Sequence, residues 1–334
     1  MAEMRFLIVR LGSMGDIVHT LPAVHALRES FPEARIDWVV EAKWLPLLRG
    51  NPDLNEVIPV KRTTWTILRT CLGRLRAARY DCLLDFQGLY KSAALGWLAA
   101  AKRRIGWERR SAREGGAAAF YTEHVAPTVA HIVDQNLELA RAAGAQPGAV
   151  KFFLPRDAKA ENEVENLLAT ERLSKFFVLS PGGGWRAKCW PAERYGELHR
   201  GLAERFGMRG VVNYGPGEEL LAAAVRSSAG QPEPIPAKLR LEQFVALVRR
   251  ASFLVGGDSG PVHVAVAVGT PVVGLYGPTD PARNGPYGKA DIVVRNVGPD
   301  ETTYRRSDEY AASMLSITVE QVLAAVERRM EQVR

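Results

Sequence analysis

The sequence predicts an α/β chain folded as two doubly wound units, each a parallel sheet with helices on both faces. Three observations carry this. Short buried-type runs, such as Arg5–Arg10 (RFLIVR) and Phe176–Ser180 (FFVLS), alternate with stretches of helical periodicity. The alternation halts at a Gly- and Pro-containing stretch, Gly144–Pro155, and then restarts. The length, 334 residues, is about that of two ordinary domains.

In chain order, Arg5–Arg10 reads as a strand and Gly12–Gly15 as a turn. Asp16–Phe31 reads as a helix with Ile17, Leu21, Val24 and Leu27 on its apolar positions. Ile36–Val40, Glu56–Val60 and Tyr80–Phe86 follow as strands, and His131–Ala143 as a helix stopped by Gly144. After the break come strand Phe176–Ser180, helix Pro191–Phe206 and strand Gly210–Tyr214. Then come helix Leu241–Arg250, strand Ser252–Val255, helix Pro261–Val268 and strand Pro271–Leu275, with an amphipathic helix, Ile317–Val333, at the end. The expected domains are 1–155 and 156–316, with 317–334 as a closing helix.

Composition narrows the function classes. Charged residues are 24% and hydrophobic residues 47%, the balance of a folded globular chain. The longest apolar run, Ala93–Ala101, is well under the roughly 20 residues of a bilayer span. No basic-then-apolar leader precedes the first strand, and Cys71, Cys82 and Cys189 are scattered, so a cytoplasmic chain without a disulfide framework is expected. No CxxC or HExxH occurs, so no metal site is expected.

The net charge of +7 is concentrated. From Lys61 to Arg113, thirteen Lys and Arg face only Asp81, Asp85 and Glu108, giving +10 there and −3 over the rest of the chain. Such a field attracts polyanions, with solvated helix faces as the plainer account. Trp65, Trp97 and Trp107 are interleaved with the charges, which suits a membrane interface or base stacking. No RNP or zinc-finger pattern accompanies them, so nucleic acid is not expected as a partner.

Four turns at strand ends are candidates for chemistry, because open α/β sheets bind ligands at the carboxyl ends of their strands. The first is Gly12-Ser13-Met14-Gly15-Asp16. It has GxxG rather than the dinucleotide GxGxxG; its glycines allow close backbone approach, and Asp16 reads either as a general base or as a simple cap of the helix. The second is Gly256-Gly257-Asp258-Ser259-Gly260-Pro261-Val262-His263, where amides at Ser259 and Gly260 can hold a phosphate at a helix start, with His263 one turn on. A protease-like GDSG reading fits neither the α/β pattern nor GxSxG, since Pro261 replaces the last glycine. The third is Ser180–Pro191, with Gly182, Gly183 and Gly184 followed by the cations Arg186 and Lys188. The fourth is Gly215-Pro216-Gly217-Glu218-Glu219, whose carboxylate reads either as a ribose ligand or as a helix-opening acid. No Asp-x-Asp pair is present to bridge a diphosphate through a metal.

Taken in order, MRFLIVRLGSMGDIVHTLPAVHAL, DFQGLYKSA, KCWP and GGDSGPVHVAVAVGTPVVGLYGPTDP resemble the bacterial lipopolysaccharide heptosyltransferases, glycosyltransferase family 9, most closely the heptosyltransferase I type. The resemblance covers nearly the whole chain. It implies a GT-B fold, with two Rossmann-like domains facing a central cleft. The acceptor would bind the N-terminal domain and the nucleotide sugar the C-terminal one, with the closing helix packed back toward the N-terminal domain. The implied reaction is inverting, metal-independent transfer of heptose from ADP-L-glycero-β-D-manno-heptose to a Kdo residue of Kdo2–lipid A, with no cofactor. By motif, Asp16 matches the base, and Lys188, Glu218, Asp258, Ser259, Gly260 and His263 match donor-binding positions. Leu239 falls where relatives often carry methionine near adenine, and Gly183 and Gly184 replace two threonines of the donor loop. Gly12, Ser13, Gly15, Arg62, Lys91, Arg104, Arg109 and Arg113 are the acceptor candidates, with Lys61 beside them. The implied location is the inner face of the cytoplasmic membrane, held peripherally by its anionic surface. Three alternatives stay open: a heptosyltransferase II-like acceptor, another nucleotide sugar, and a non-catalytic binder of nucleotide sugar or nucleic acid.

Overall fold

The structure, a computed structural model, describes residues 3–61 and 72–332. The chain divides into two compact units, Met1–Pro155 and Arg156–Arg334.

The first unit holds β1 (Arg5–Val9), β2 (Arg35–Glu41), β3 (Glu56–Val60), β4 (Cys82–Asp85), β5 (Arg103–Trp107) and β6 (Glu123–Val125). They form one parallel sheet in the order β3-β2-β1-β4-β5-β6. Its helices are α1 (Met14–Ser30), α2 (72–78), α3 (Tyr90–Leu98) and α4 (Ile132–Ala142). Phe6, Leu7, Ile8 and Val9 are all buried, as expected for a central strand covered on both faces. Helix α1 is buried from Ile17 through Leu27, which is why its sequence is apolar nearly all round rather than along one stripe.

The second unit holds β7 (Phe176–Ser180), β8 (Arg209–Tyr214), β9 (Ile235–Lys238), β10 (Leu254–Gly257), β11 (Val272–Leu275) and β12 (Ile292–Val294). Its parallel sheet runs β12-β11-β10-β7-β8-β9. Counted within its own unit, this is the same order as the first sheet, and it is the doubly wound dinucleotide-binding order. The helices are α5 (Ala158–Thr170), α6 (Ala192–Phe206), α7 (Glu219–Ala229), α8 (Leu241–Val248), α9 (Gly260–Val268), α10 (Pro281–Asn284), α11 (Ala312–Leu315) and α12 (Val319–Glu331).

Several elements differ from the sequence expectation. Helix α1 starts at Met14, because Ser13 takes the cap position and Asp16 becomes the third helical residue. Strand β10 begins at Leu254, two residues later than expected, and runs on to Gly257. Four short strands were not expected. β5 opens with two arginines, β6 and β12 are three residues each, and β9 contains Pro236. The proline is tolerated because β9 is an edge strand, where a missing N–H breaks no second ladder. The closing helix α12 is part of the second unit's core: Val322, Leu323, Ala325 and Val326 pack with Trp190, Tyr195 and Leu198. The Trp190 indole N–H also donates to the Ile317 carbonyl at 3.0 Å.

His199, on α6, is fully buried and accepts the Gly210 N–H on Nε2 at 3.0 Å. Burial, helped by nearby Arg209, pushes its pKa down to about 4. The unfolded imidazole takes up a proton as pH falls below its ordinary 6.5, while the folded one resists until about 4. Stability is therefore full above that ordinary value and falls as pH drops across this window, by about 3 kcal/mol. Urea unfolding followed over this pH range should show that loss in the native chain and not in His199→Gln.

Candidate functional site

Each sheet places its described candidate residues, Arg104 apart, at the carboxyl ends of its strands. In the first unit they gather where β1 and β4 end, the point where the strand order reverses. Asp16 lies in the first turn of α1, and Oδ2 accepts the Ser13 backbone N–H at 3.0 Å and the Ser13 hydroxyl at 3.1 Å. The plain capping role is therefore real. Its other oxygen is 2.6 Å from the Arg10 guanidinium, a buried group that also donates to the Phe86 carbonyl just past β4. Desolvation works against the Asp16 charge, and Arg10 and the Ser13 bonds outweigh it, so its carboxyl is held below the usual value.

The loops around this pair are tightly fixed. Gln87 Oε1 accepts the Leu11 and Gly12 N–H groups at 3.0 and 3.4 Å. Gln87 and Gly88 in turn donate from their backbones to buried Asp85, which also takes Ser92 and Tyr121 hydroxyls at 2.8 and 2.7 Å. Gly12 is required by packing, since a Cβ there would sit 2.7 Å from the Trp44 indole nitrogen. Gly15 is buried in the first turn of α1, beside Asp16.

The basic window does not form one patch, because strand direction splits it. Lys102, Arg103 and Arg104 open β5 at the amino edge of the sheet. Lys102 pairs with Asp81 at 2.7 Å, Arg103 pairs with Glu123 at 2.7 Å, and Arg74 pairs with Glu56. Arg104, expected to hold acceptor, donates instead to the Phe120 and Ala101 carbonyls at 2.8 and 3.0 Å. It is therefore removed from the other acceptor candidates by the length of the strand. Lys61 follows β3, Lys91 lies in the first turn of α3, and Arg109, Arg110 and Arg113 follow β5, all at the carboxyl edge and exposed. Lys91 is 3.8 Å from Glu41, while the three arginines have no ion-pair partner among the described residues. Arg62, Trp65 and Cys71 lie outside the described residues. Of the interleaved tryptophans, Trp107 is core and Trp97 is 55% exposed beside Phe120, with Tyr90 exposed one helix length before it.

In the second unit the candidates lie at four neighbouring strand ends. Gly183, Gly184 and Lys188 follow β7, Glu218 follows β8, Leu239 follows β9, and Asp258, Ser259 and Gly260 follow β10. Lys188 Nζ is 2.8 Å from Asp258 Oδ2, and both are mostly buried. Asn284, at the end of α10, donates to Asp258 Oδ1 at 2.7 Å, and His263 Nε2 is 3.8 Å from the same oxygen. Burial opposes the Asp258 charge, and His263 and Lys188 more than offset it, so the carboxyl is held far below its usual value. Ser259 caps α9, with Gly260 the first helical residue. Glu218 Oε2 accepts the Gly215 N–H at 2.7 Å, and its carboxylate lies so close to Gly182 that a Cβ there would meet it at 2.4 Å.

Sequence reasoning missed Arg10, which reads as the last residue of a strand, and Asn284, which belongs to no motif. Among the described residues, no three His, Cys, Asp or Glu side chains gather as a metal-binding group, and no helix is long and apolar enough to cross a membrane.

Two Rossmann-like units of this strand order, each with polar side chains at its switch point, are the architecture of the GT-B glycosyltransferases. The family model for glycosyltransferase family 9 (heptosyltransferase) matches residues 69–312. Lipopolysaccharide heptosyltransferase 1 of Escherichia coli K12 is 32% identical over 306 residues, 87% of this chain and 93% of its own. The E. coli heptosyltransferase WaaC, solved with ADP-2-deoxy-2-fluoro heptose, aligns with a TM-score of 0.75 and 30% identity over 97% of this chain and 99% of that one. A family 9 glycosyltransferase of Veillonella parvula aligns with a TM-score of 0.87 at 21% identity, covering 99% of each chain, a likeness of fold. The chain belongs to glycosyltransferase family 9 and is a glycosyltransferase.

Removing one member of a buried ion pair strands the other. Lys188→Met should cost about 3 kcal/mol in urea unfolding, and Asp258→Asn added to it should recover part of that loss. A fully stable Lys188→Met chain would show that the pair does not matter to the fold.

Proposed function

We propose that this chain transfers heptose from ADP-L-glycero-β-D-manno-heptose to a Kdo residue of Kdo2–lipid A, with inversion and without a metal, at the cytoplasmic face of the inner membrane. The observation that carries this reading is the collection of Glu218, Lys188, Asp258 and the Ser259–Gly260 helix start along one edge of the second sheet. It supplies a carboxylate for a ribose, cationic charge and helix amides for a diphosphate, in the strand order that binds nucleotides. The similarity to an enzyme solved with an ADP-heptose analogue supports the donor. The absence of an Asp-x-Asp pair supports a metal-free route.

In this reading Asp16 takes the proton of the attacking Kdo hydroxyl. The hydroxyl oxygen bonds to the anomeric carbon from the face opposite the diphosphate, and the bond from that carbon to the phosphate oxygen breaks. ADP departs with the electron pair, its charge met by Lys188 and by the amides at Ser259 and Gly260. Arg10 keeps Asp16 ionised and oriented, and the lowered pKa makes it a weak base that is ready across neutral pH.

Mass spectrometry of the chain with ADP-heptose and a delipidated Kdo acceptor should show a heptosylated product, undiminished by EDTA. Transfer from a different nucleotide sugar, or none, removes the proposal. Asp16→Asn should lose about 10²–10⁴-fold in turnover while still binding ADP. Because the Asp16 carboxyl is lowered, activity should fall only as pH drops below the usual carboxylate value, and Arg10→Met should move that acid limb upward. An unmoved limb would take Asp16 out of the base role.

The exposed cations at the carboxyl edge of the first sheet, Lys61, Lys91, Arg109, Arg110 and Arg113, with exposed Tyr90 next to Lys91 at the start of α3, suit an anionic lipid surface at about 1 kcal/mol per cation. Flotation with anionic liposomes should recover the chain at low salt and lose it at high salt. Recovery that ignores salt would contradict this account.

A further inference from the structure

Lys188 is the cation that the sequence puts nearest to a diphosphate, yet its charge is already matched. Its ammonium lies 2.8 Å from Asp258, and the pair presents little net charge to an incoming anion. The helix start at Ser259 and Gly260 adds only a partial positive charge. A nucleoside diphosphate brings at least two negative charges and gains more as it leaves. Arg186, the loop's other cation, is set against the Tyr310 ring at 4.4 Å. Transfer without a metal therefore calls for a further cation at this edge.

The structure places one on the segment 302–310. Trp185, in the loop after β7, has Lys188 Nζ at 4.3 Å from its ring centroid and the Arg306 guanidinium at 5.3 Å. Two cations thus share one indole. The segment is fastened to the β7 loop independently of Arg306: Ala187 N–H donates to the Ser307 carbonyl at 3.3 Å, and the Arg186 guanidinium lies 4.4 Å from the Tyr310 ring centroid. Arg306 itself is exposed and forms no ion pair or hydrogen bond among the described residues. Asp308 and Glu309, its neighbours on the segment, do not pair with it. Its charge is unspent, and it lies against the same indole as Lys188.

We propose that Arg306 is a further binding residue for the donor diphosphate, an inference that rests on the function proposed above and assigns the charge that Lys188 cannot supply. Calorimetric titration of the full chain with ADP, AMP and adenosine tests it, using the native chain, Arg306→Gln and Arg306→Lys. Arg306→Gln should bind ADP about tenfold more weakly, lose less toward AMP, keep its affinity for adenosine, and show a shallower salt dependence for ADP. Arg306→Lys should restore most of the ADP affinity. Equal ADP binding by the native chain and Arg306→Gln, or an equal loss toward adenosine, would overturn the inference and leave the transferase reading standing. A native chain that ignores ADP would overturn both.

Discussion

Everything in the site depends on the parallel sheet having two unlike edges. All strands of each sheet end on the same side, so the loops and helix starts that follow them share that side. In both units the first and fourth strands are neighbours, β1 with β4 and β7 with β10, and their crossovers leave in opposite directions. The gap this opens is where backbone amides are accessible. Each unit fills it in a similar way, with a cation and a carboxylate in contact: Arg10 with Asp16, and Lys188 with Asp258. Removing charges from water is costly unless they are paired, so these contacts let ionised groups sit at the ends of strands without destabilising them.

The same constraint decides which charges are available. A count along the sequence sees thirteen cations in one window and reads a patch. Folding sends Lys102, Arg103 and Arg104 to one edge and Arg109, Arg110 and Arg113 to the other, because the five-residue strand that Arg103 opens carries the chain from one edge to the other. At the amino edge the cations are consumed by Asp81, Glu123, Glu56 and backbone carbonyls. At the carboxyl edge the arginines stay free among the described residues. The field is therefore directional, which the linear charge sum cannot express.

What was legible in the sequence had a local cause. The strands around RFLIVR and FFVLS are apolar because both faces are covered, and the turns at Gly12 and Gly256 stand out because glycine allows close approach. Asp16, Lys188 and Asp258 were visible because they flank such turns. Arg10 was not, since one residue decides whether it ends a strand or faces the helix start, and strand boundaries are soft. Asn284 and Arg306 were invisible for a different reason. Each reaches the site from a segment remote in sequence, α10 and the 302–310 stretch, and contact with Asp258 or Trp185 exists only after folding. Strands β6, β9 and β12 were missed because they are short edge pieces whose ladders, not their residues, define them.

The triple glycine after β7 shows how these pieces depend on one another. At Gly182 a side chain would collide with the Glu218 carboxylate, and at Gly183 a Cβ would lie 2.9 Å from Cys189 Sγ, so packing favours glycine at both. At Gly184 a Cβ would meet nothing within 4 Å, so packing does not demand glycine there. A loop without hydroxyls can meet a phosphate only through its backbone N–H groups, which carry dipoles rather than charge. Charge then has to come from side chains: Lys188, further along the same loop and already paired with Asp258, and others that approach from elsewhere. Trp185, next in sequence, is where Lys188 and Arg306 meet. In the proposed reading the bare loop and the cation-bearing segment are two halves of one electrostatic solution: the first would admit the diphosphate, and the second would neutralise it.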